Sequence, residues 1–293
     1  MIKFGPAGNS DSFYEQGHKS SVEMPAWLKA NGLEAYEYQC SKGVNVGRNV
    51  AERIGEEAEK HNILISIHAP YYINLSSNEK DKINSSIDHI LKTIKVAKWM
   101  GAKRIIFHPG SVKGCGREEA LSRAINAMGR IFDRIEEAGL SEINICPETM
   151  GKINQLGTIE EIIELCKVDK RMIPAIDFGH IHARSLGGIK SVEDVKSIFY
   201  TVMQNFGHER VKNIHCHFSR IEYTNGGEKM HRNLSETEYG PEFELVAEAI
   251  ALLRFCPVII CESRKHMAED ALILKKIYYR IASKVSKKGD GYS

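Results

Sequence analysis

Two periodicities of apolar residues alternate along this chain. Short, mostly apolar runs, the pattern of strands buried on both faces, recur at residues 63–68, 104–108, 143–148, 173–177, 211–215 and 258–262. Two more strand-like runs precede them, at 2–5 and 33–38, the second following an Asn31-Gly32 turn. Between the runs lie stretches with helical spacing. Residues 45–60 carry Val46, Val50, Ile54 and Ala58; residues 83–100 carry Ile87, Ile90, Leu91, Ile94, Ala97 and Met100; residues 117–138 carry Leu121, Ala124, Ile125, Met128, Ile131 and Ile135. Gly101 and Gly139 stand where helices end, and Thr158 with Glu161 forms a capping-box signature. Further helices are predicted at 191–206, at 241–255 with Pro241 as first helical residue, and at 268–284.

Eight strands alternating with helices predict an α/β chain closed as a (β/α)8 TIM barrel. With no linker, repeat or low-complexity stretch, residues 1–286 read as one domain and residues 287–293 as a tail expected to fray.

The six later runs share a second property. Each ends in a metal-ligand residue: His68, His108, Glu148, Asp177, His215 and Glu262. In such barrels the active site lies at the C-terminal ends of the strands. A carboxylate buried without a partner is costly, and an ion pair inside the barrel mouth would satisfy one of them. Three carboxylates at strand ends, with His215 between them in chain order, point instead to a multinuclear metal site. A set of histidines and carboxylates without thiolates suits zinc or manganese in a catalytic centre rather than a structural zinc cage. His180 follows Asp177 by three residues. His217 shares a strand face with His215, and His217 and His182 read as substrate-facing. His231, in Glu228-Lys229-Met230-His231, sits on the long loop after the seventh strand.

Composition bounds the rest. The 293 residues exceed the about 250 that a TIM barrel typically needs. No run reaches the ~18 apolar residues of a membrane span, and the first residues do not read as a signal peptide, so no membrane partner is expected. Seven cysteines without a CxxC pair fit a reducing, cytoplasmic setting. A net charge of +2 argues neither for nor against nucleic acid, and nothing calls for an obligate protein partner.

Taken in order, these residues resemble the endonuclease IV family of apurinic/apyrimidinic endonucleases, within the xylose-isomerase-like TIM barrels, over residues 62–265. The resemblance lies in His68-Ala69-Pro70-Tyr71-Tyr72-Ile73-Asn74-Leu75, Phe107-His108-Pro109-Gly110-Ser111, Pro147-Glu148-Thr149, Asp177-Phe178-Gly179-His180, His215 and Cys261-Glu262-Ser263. It implies two or three ions, zinc by preference and manganese as the alternative. His68 and His108 would hold one, with Glu148 bridging to a second that also takes Asp177, His215 and Glu262; His180 and His231 would hold the third. It further implies Glu148 as the catalytic residue, Tyr71 and Asn74 facing nucleic acid, and hydrolysis of DNA 5′ to abasic sites. The sequence departs from the family at Lys229, where the third ion's aspartate is expected. Either Glu228 or water takes that place, the third site is weak or empty, or Lys229 meets the phosphate itself. Residues 5–9 and 39–45 also differ from the family's DNA-facing loops. The alternatives are a single-metal sugar isomerase or epimerase on Glu148, Asp177, His215 and Glu262, and a small-phosphoester hydrolase or non-catalytic binder.

Overall fold

A computed structural model describes residues 1–140 and 142–289. Eight parallel strands form the barrel: β1 (Lys3–Pro6), β2 (Ala35–Gln39), β3 (Leu64–His68), β4 (Arg104–Phe107), β5 (Asn144–Pro147), β6 (Ala175–Asp177), β7 (His215–Phe218) and β8 (Val258–Cys261). They pair in two arcs, β2-β3-β4-β5 and β1-β8-β7-β6. Parallel bridges close both seams, Ala7 with Glu37 on one side and Glu148 with Ala175 on the other. Amide-to-carbonyl bonds support the first seam, from Glu34 to Phe4 at 3.0 Å and from Gly8 to Glu37 at 2.9 Å.

The long helices follow the apolar spacing: Arg48–His61, Lys80–Met100, Arg117–Glu137, Ile159–Cys166, Val192–Phe206, Phe243–Leu253 and Met267–Gly289. Gly101 caps its helix at φ 66°, in the left-handed region a glycine enters without strain. Pro241 is not a first helical residue, because the helix begins at Phe243 with Glu242 at its N-cap. Lys287 continues the last helix, so the tail does not begin there as expected; residues 290–293 lie outside the described residues. No described helix is long and apolar enough to cross a membrane.

The strand alternation divides the interior. Residues such as Tyr36, Ile65, Ile67, Ile105, Phe107, Ile145, Ile176, Cys216 and Ile259 join one large apolar core with the helices. Alternate positions point into the barrel. There the apolar material is sparse: Ala35, Val258 and Ile260 in one cluster, Ile106, Cys146 and Ala175 in another. The same parity carries Glu37, Ser66, His68, Arg104, Glu148, Asp177, His215, His217 and Glu262. The barrel is thus polar along its axis. At the lower end, Arg104 donates through Nη2 to the Asn213 carbonyl at 2.6 Å.

Outside the barrel, Glu161 ties down the loop after β5. Its carboxylate accepts from Arg117 Nε and Nη2, each at 2.7 Å, and from the amides of Gly157 at 2.7 Å and Thr158 at 2.9 Å. Burial alone would raise the Glu161 pKa, but the Arg117 guanidinium and these two amides lower it. A depressed folded pKa stabilises the fold above the unfolded carboxylate value and loses that contribution as pH falls. Glu161→Gln should therefore cost about 1–2 kcal/mol at neutral pH, discounted for the partly exposed Arg117. In urea titrations the deficit should shrink as pH drops below about 4.5; a deficit independent of pH would contradict it.

Candidate metal centre

At the upper mouth of the barrel three groups of side chains converge. His68, His108 and Glu148 form the first; Glu148, Asp177, His217 and Glu262 the second; His180, Glu228 and His231 the third. Within each group the candidate ligand atoms lie within 4.8 Å of one another. Glu148, at the end of β5 and fully buried, belongs to two groups. Its Oε2 lies 3.2 Å from His68 Nε2 and 3.3 Å from His108 Nε2, while its Oε1 lies 3.1 Å from His217 Nδ1. That is the geometry of a carboxylate able to bridge two cations.

Local folding explains the third group. Asp177 ends β6 and caps the helix Phe178–Arg184, accepting from the His180 amide at 2.6 Å through Oδ1. The Asp-x-x-His spacing is thus a helix cap that delivers His180 one turn above the strand. Asp177 Oδ2 is left buried without a hydrogen-bond partner. Glu228 and His231 come from an antiparallel hairpin, Arg220–Thr224 with Gly227–Arg232. Three residues apart on a regular strand, they would face opposite sides. The pairing shifts between Glu222 with Met230 and Tyr223 with Glu228, leaving Lys229 as the extra residue of a bulge. The bulge turns Glu228 and His231 to one side. Gly151 leaves room for Glu228 beside His180: a Cβ there would lie 2.6 Å from Glu228 Cβ and 3.1 Å from His180 Cδ2.

The proton positions show whether cations fit. His68 Nδ1 lies 2.8 Å from the Ala69 carbonyl, and His180 Nδ1 lies 2.9 Å from the Thr149 carbonyl. A carbonyl only accepts, so both nitrogens carry the proton. His68 therefore presents a bare Nε2 to Glu148. His180 presents a bare Nε2 to Glu228, 3.5 Å away. His217 Nε2 lies 3.1 Å from the buried Glu37 carboxylate, which leaves Nδ1 facing Glu148 and Glu262 at 3.1 and 3.4 Å. Each of these nitrogens faces a carboxylate, to which it donates a proton when the imidazole is charged; deprotonated, it offers a lone pair to a cation held between them. Among the described residues, no lysine or arginine forms an ion pair with Glu148, Asp177, Glu228 or Glu262.

The titration behaviour agrees. Burial, with Glu148 and Asp177 nearby, pushes the Glu262 carboxyl up to about 8 despite the pull of His217. Burial opposes charge on His217, yet Glu262, Glu37 and Glu148 raise its pKa well above the imidazole range. Positive charge is wanted among these carboxylates, and a metal ion can supply it in place of the imidazole protons. The histidine far nitrogens are anchored to carbonyls or a carboxylate, the arrangement that orients imidazole toward metals. The residues fit divalent cations at three positions.

Most of the residues singled out from the sequence meet here: His68, His108, Glu148, Asp177, His180, His231 and Glu262. His215 does not. Residue 211 ends a short helix, His208–Val211, and β7 begins at His215 rather than ending there. His215 therefore lies one inward position below the mouth, with Nε2 2.9 Å from Glu37, and His217 occupies the place assigned to it. Lys229 turns away from the three groups. It points outward, donating to Glu222 Oε1 at 2.6 Å, and Glu228 takes the position in question. Asn74 is engaged in loop packing, its Oδ1 accepting from Ser76 Oγ at 2.9 Å and from the Ser111 amide at 3.1 Å. His182 packs against the Tyr223 ring, away from the cleft. Tyr71 remains at the cleft, half-exposed and stacked on His108 with ring centroids 5.6 Å apart. Glu37 was not anticipated; its signal was a charged residue at an inward position of a strand otherwise without charge.

Above the three groups opens a cleft of about 720 Å³, whose walls include Asn9, Gln39, Ser41, Lys152 and Arg264. The segments that differ from the endonuclease IV pattern thus form part of its wall.

Residues 25–277 match the xylose isomerase-like TIM barrel family, and the chain belongs to it. An uncharacterized protein of Methanocaldococcus jannaschii is 36% identical over 278 residues, covering 95% of this chain and 97% of its own length. A probable endonuclease 4 of Mycoplasma pneumoniae is 29% identical over 190 residues, covering 62% of this chain and 63%, less than two thirds, of its own. Two solved structures share the fold. A D-tagatose 3-epimerase-like protein has a TM-score of 0.69 at 21% identity, covering 98% of this chain and 99% of its own. Endonuclease IV from Thermus thermophilus has a TM-score of 0.68 at 18% identity, covering 92% and 96%. The two likenesses are near-equal, so the fold does not separate nuclease from epimerase.

Proposed function

We propose that this protein is a metal-dependent phosphodiesterase that cuts DNA on the 5′ side of abasic sites, using three divalent ions, zinc or manganese. The carrying observation is the third donor group. A single-metal isomerase needs only Glu148, Asp177, His217 and Glu262. It has no use for His68 and His108 around the other oxygen of Glu148, nor for a bulged hairpin that turns Glu228 toward His180.

Bound ions would lower the pKa of a coordinated water toward neutrality and offset charge on the phosphate oxygens. The chain's own residues do the rest. Glu148, acting as the catalytic carboxylate, would hold two positions in register and orient the attacking water between them. Tyr71, stacked on His108, offers a half-exposed ring at the cleft edge on which a base or an unpaired sugar can rest. Lys152 and Arg264 are exposed on the cleft wall, positioned for flanking phosphates.

Protein loaded with zinc or manganese should nick a duplex carrying one tetrahydrofuran abasic analogue, leaving a 3′-hydroxyl on its 5′ side. Chelator should abolish the cut, and readdition of metal should restore it. Fully loaded protein that leaves this duplex intact would contradict the proposal. The epimerase reading has its own support in the middle group, complete without the other two. Interconversion of keto-sugars by protein holding one ion would establish it.

A further inference from the structure

Glu37 lies on β2 inside the barrel, fully buried, beneath the mouth. No lysine or arginine pairs with it among the described residues. Its carboxylate instead accepts from Ser66 Oγ at 2.9 Å, Gln39 Nε2 at 3.1 Å, His215 Nε2 at 2.9 Å and His217 Nε2 at 3.1 Å. A buried carboxylate whose only potentially charged partners are two histidines is an expensive feature for a barrel core to keep. Beside it the barrel interior is apolar, with Ala35, Val258 and Ile260 in one cluster.

We propose that Glu37 is a positioning residue for the middle group: by accepting from His217 Nε2 it fixes the imidazole tautomer and ring plane, so that Nδ1 is presented as a bare donor to the ion between Glu148, Asp177 and Glu262. His215 is the prop of this arrangement. Its ring stands at 76° to that of His217, with centroids 5.0 Å apart, and its own Nε2 holds the Glu37 carboxylate from below. His215 Nδ1 is buried and has no partner, and its Nε2 meets only Glu37 and, at 3.1 Å, His217 Nε2. Arg104 lies below them but commits Nη2 to a backbone carbonyl rather than to Glu37. The chain Ser66–Glu37–His217 runs from the core to the centre, and a residue that touches no substrate sets the geometry of one that meets the ion.

The positioning role rests on the metal centre of the proposed function and not on its DNA substrate, so it survives if abasic DNA is left uncut. The test compares wild type with Glu37→Gln, both stripped with chelator and titrated with zinc against a chromophoric chelator. The amide of glutamine offers one acceptor where the carboxylate offers two, and opposes a donor to its neighbours. One ion of the three should bind about 10–100-fold more weakly, with the other two unchanged. Three ions bound with wild-type affinity, or an equal loss at all three sites with a lower melting temperature of the stripped protein, would overturn it. Should the variant not fold, histidine-selective 15N spectra of zinc-loaded wild type decide the matter. His217 protonated on Nε2 is the expected result, and protonation on Nδ1 the contrary one.

Discussion

Glu148→Gln should lower the cleavage rate of an abasic-site duplex by about 10³-fold or more, on the order of 4 kcal/mol of barrier. The size follows from its double membership: Oε2 faces His68 and His108, and Oε1 faces His217. Glutamine retains one acceptor oxygen and turns an amide donor toward the other position, so the bridge between the two sites is broken. The loss should fall on kcat more than on KM, because the cleft walls that hold the duplex are untouched. The metal-stripped variant should also lose some stability at neutral pH, because, against the effect of burial, His217, His108 and His180 hold the Glu148 carboxyl well below the usual carboxylate range. A variant that folds, binds metal and cuts within tenfold of wild type would remove Glu148 from the chemistry.

The second large effect concerns the hairpin. Glu228→Ala should release the third ion and reduce cleavage by about 10²-fold or more, comparable with removing one charge-stabilising group from a transition state. Lys229→Ala, one residue away, should leave both metal content and rate near wild type, because its ammonium is bound outward to Glu222. Elemental analysis and single-turnover cleavage of the two variants side by side separate the possibilities. Equal losses from both would mean that the bulge does not sort the two side chains as described. A loss confined to Lys229→Ala would return that lysine to the phosphate.

Much of this centre was legible from the sequence because two constraints act together. Parallel strands buried on both faces leave a short apolar signature, and the polar residue that ends each is visible against it, as at His68, His108, Glu148, Asp177 and Glu262. Strand seven shows the limit. Val211 and Ile214 look like strand residues, but Val211 closes a helical turn and the strand starts four residues later. Parity was right, since His215 and His217 share a face; height was wrong by one inward step, about 6.6 Å. At Glu228 the sequence left two candidates, Glu228 or water, and the hairpin bulge decides between them. A bulge depends on the partner strand, Arg220–Thr224, and no local pattern around Lys229 reports it. Glu37 escaped because a lone carboxylate in a strand shows its meaning only when His215 and His217, far along the chain, close over it.

A centre of three ions around one shared carboxylate is tested most directly by a metal count on protein purified without chelator, with an anomalous difference map placing each ion in the crystal. Three peaks are expected: one at His68, His108 and Glu148, one among Glu148, Asp177, His217 and Glu262, and one at His180, Glu228 and His231. A single peak within the middle group, with the other two empty at saturating metal, would contradict the three-ion centre and favour the epimerase.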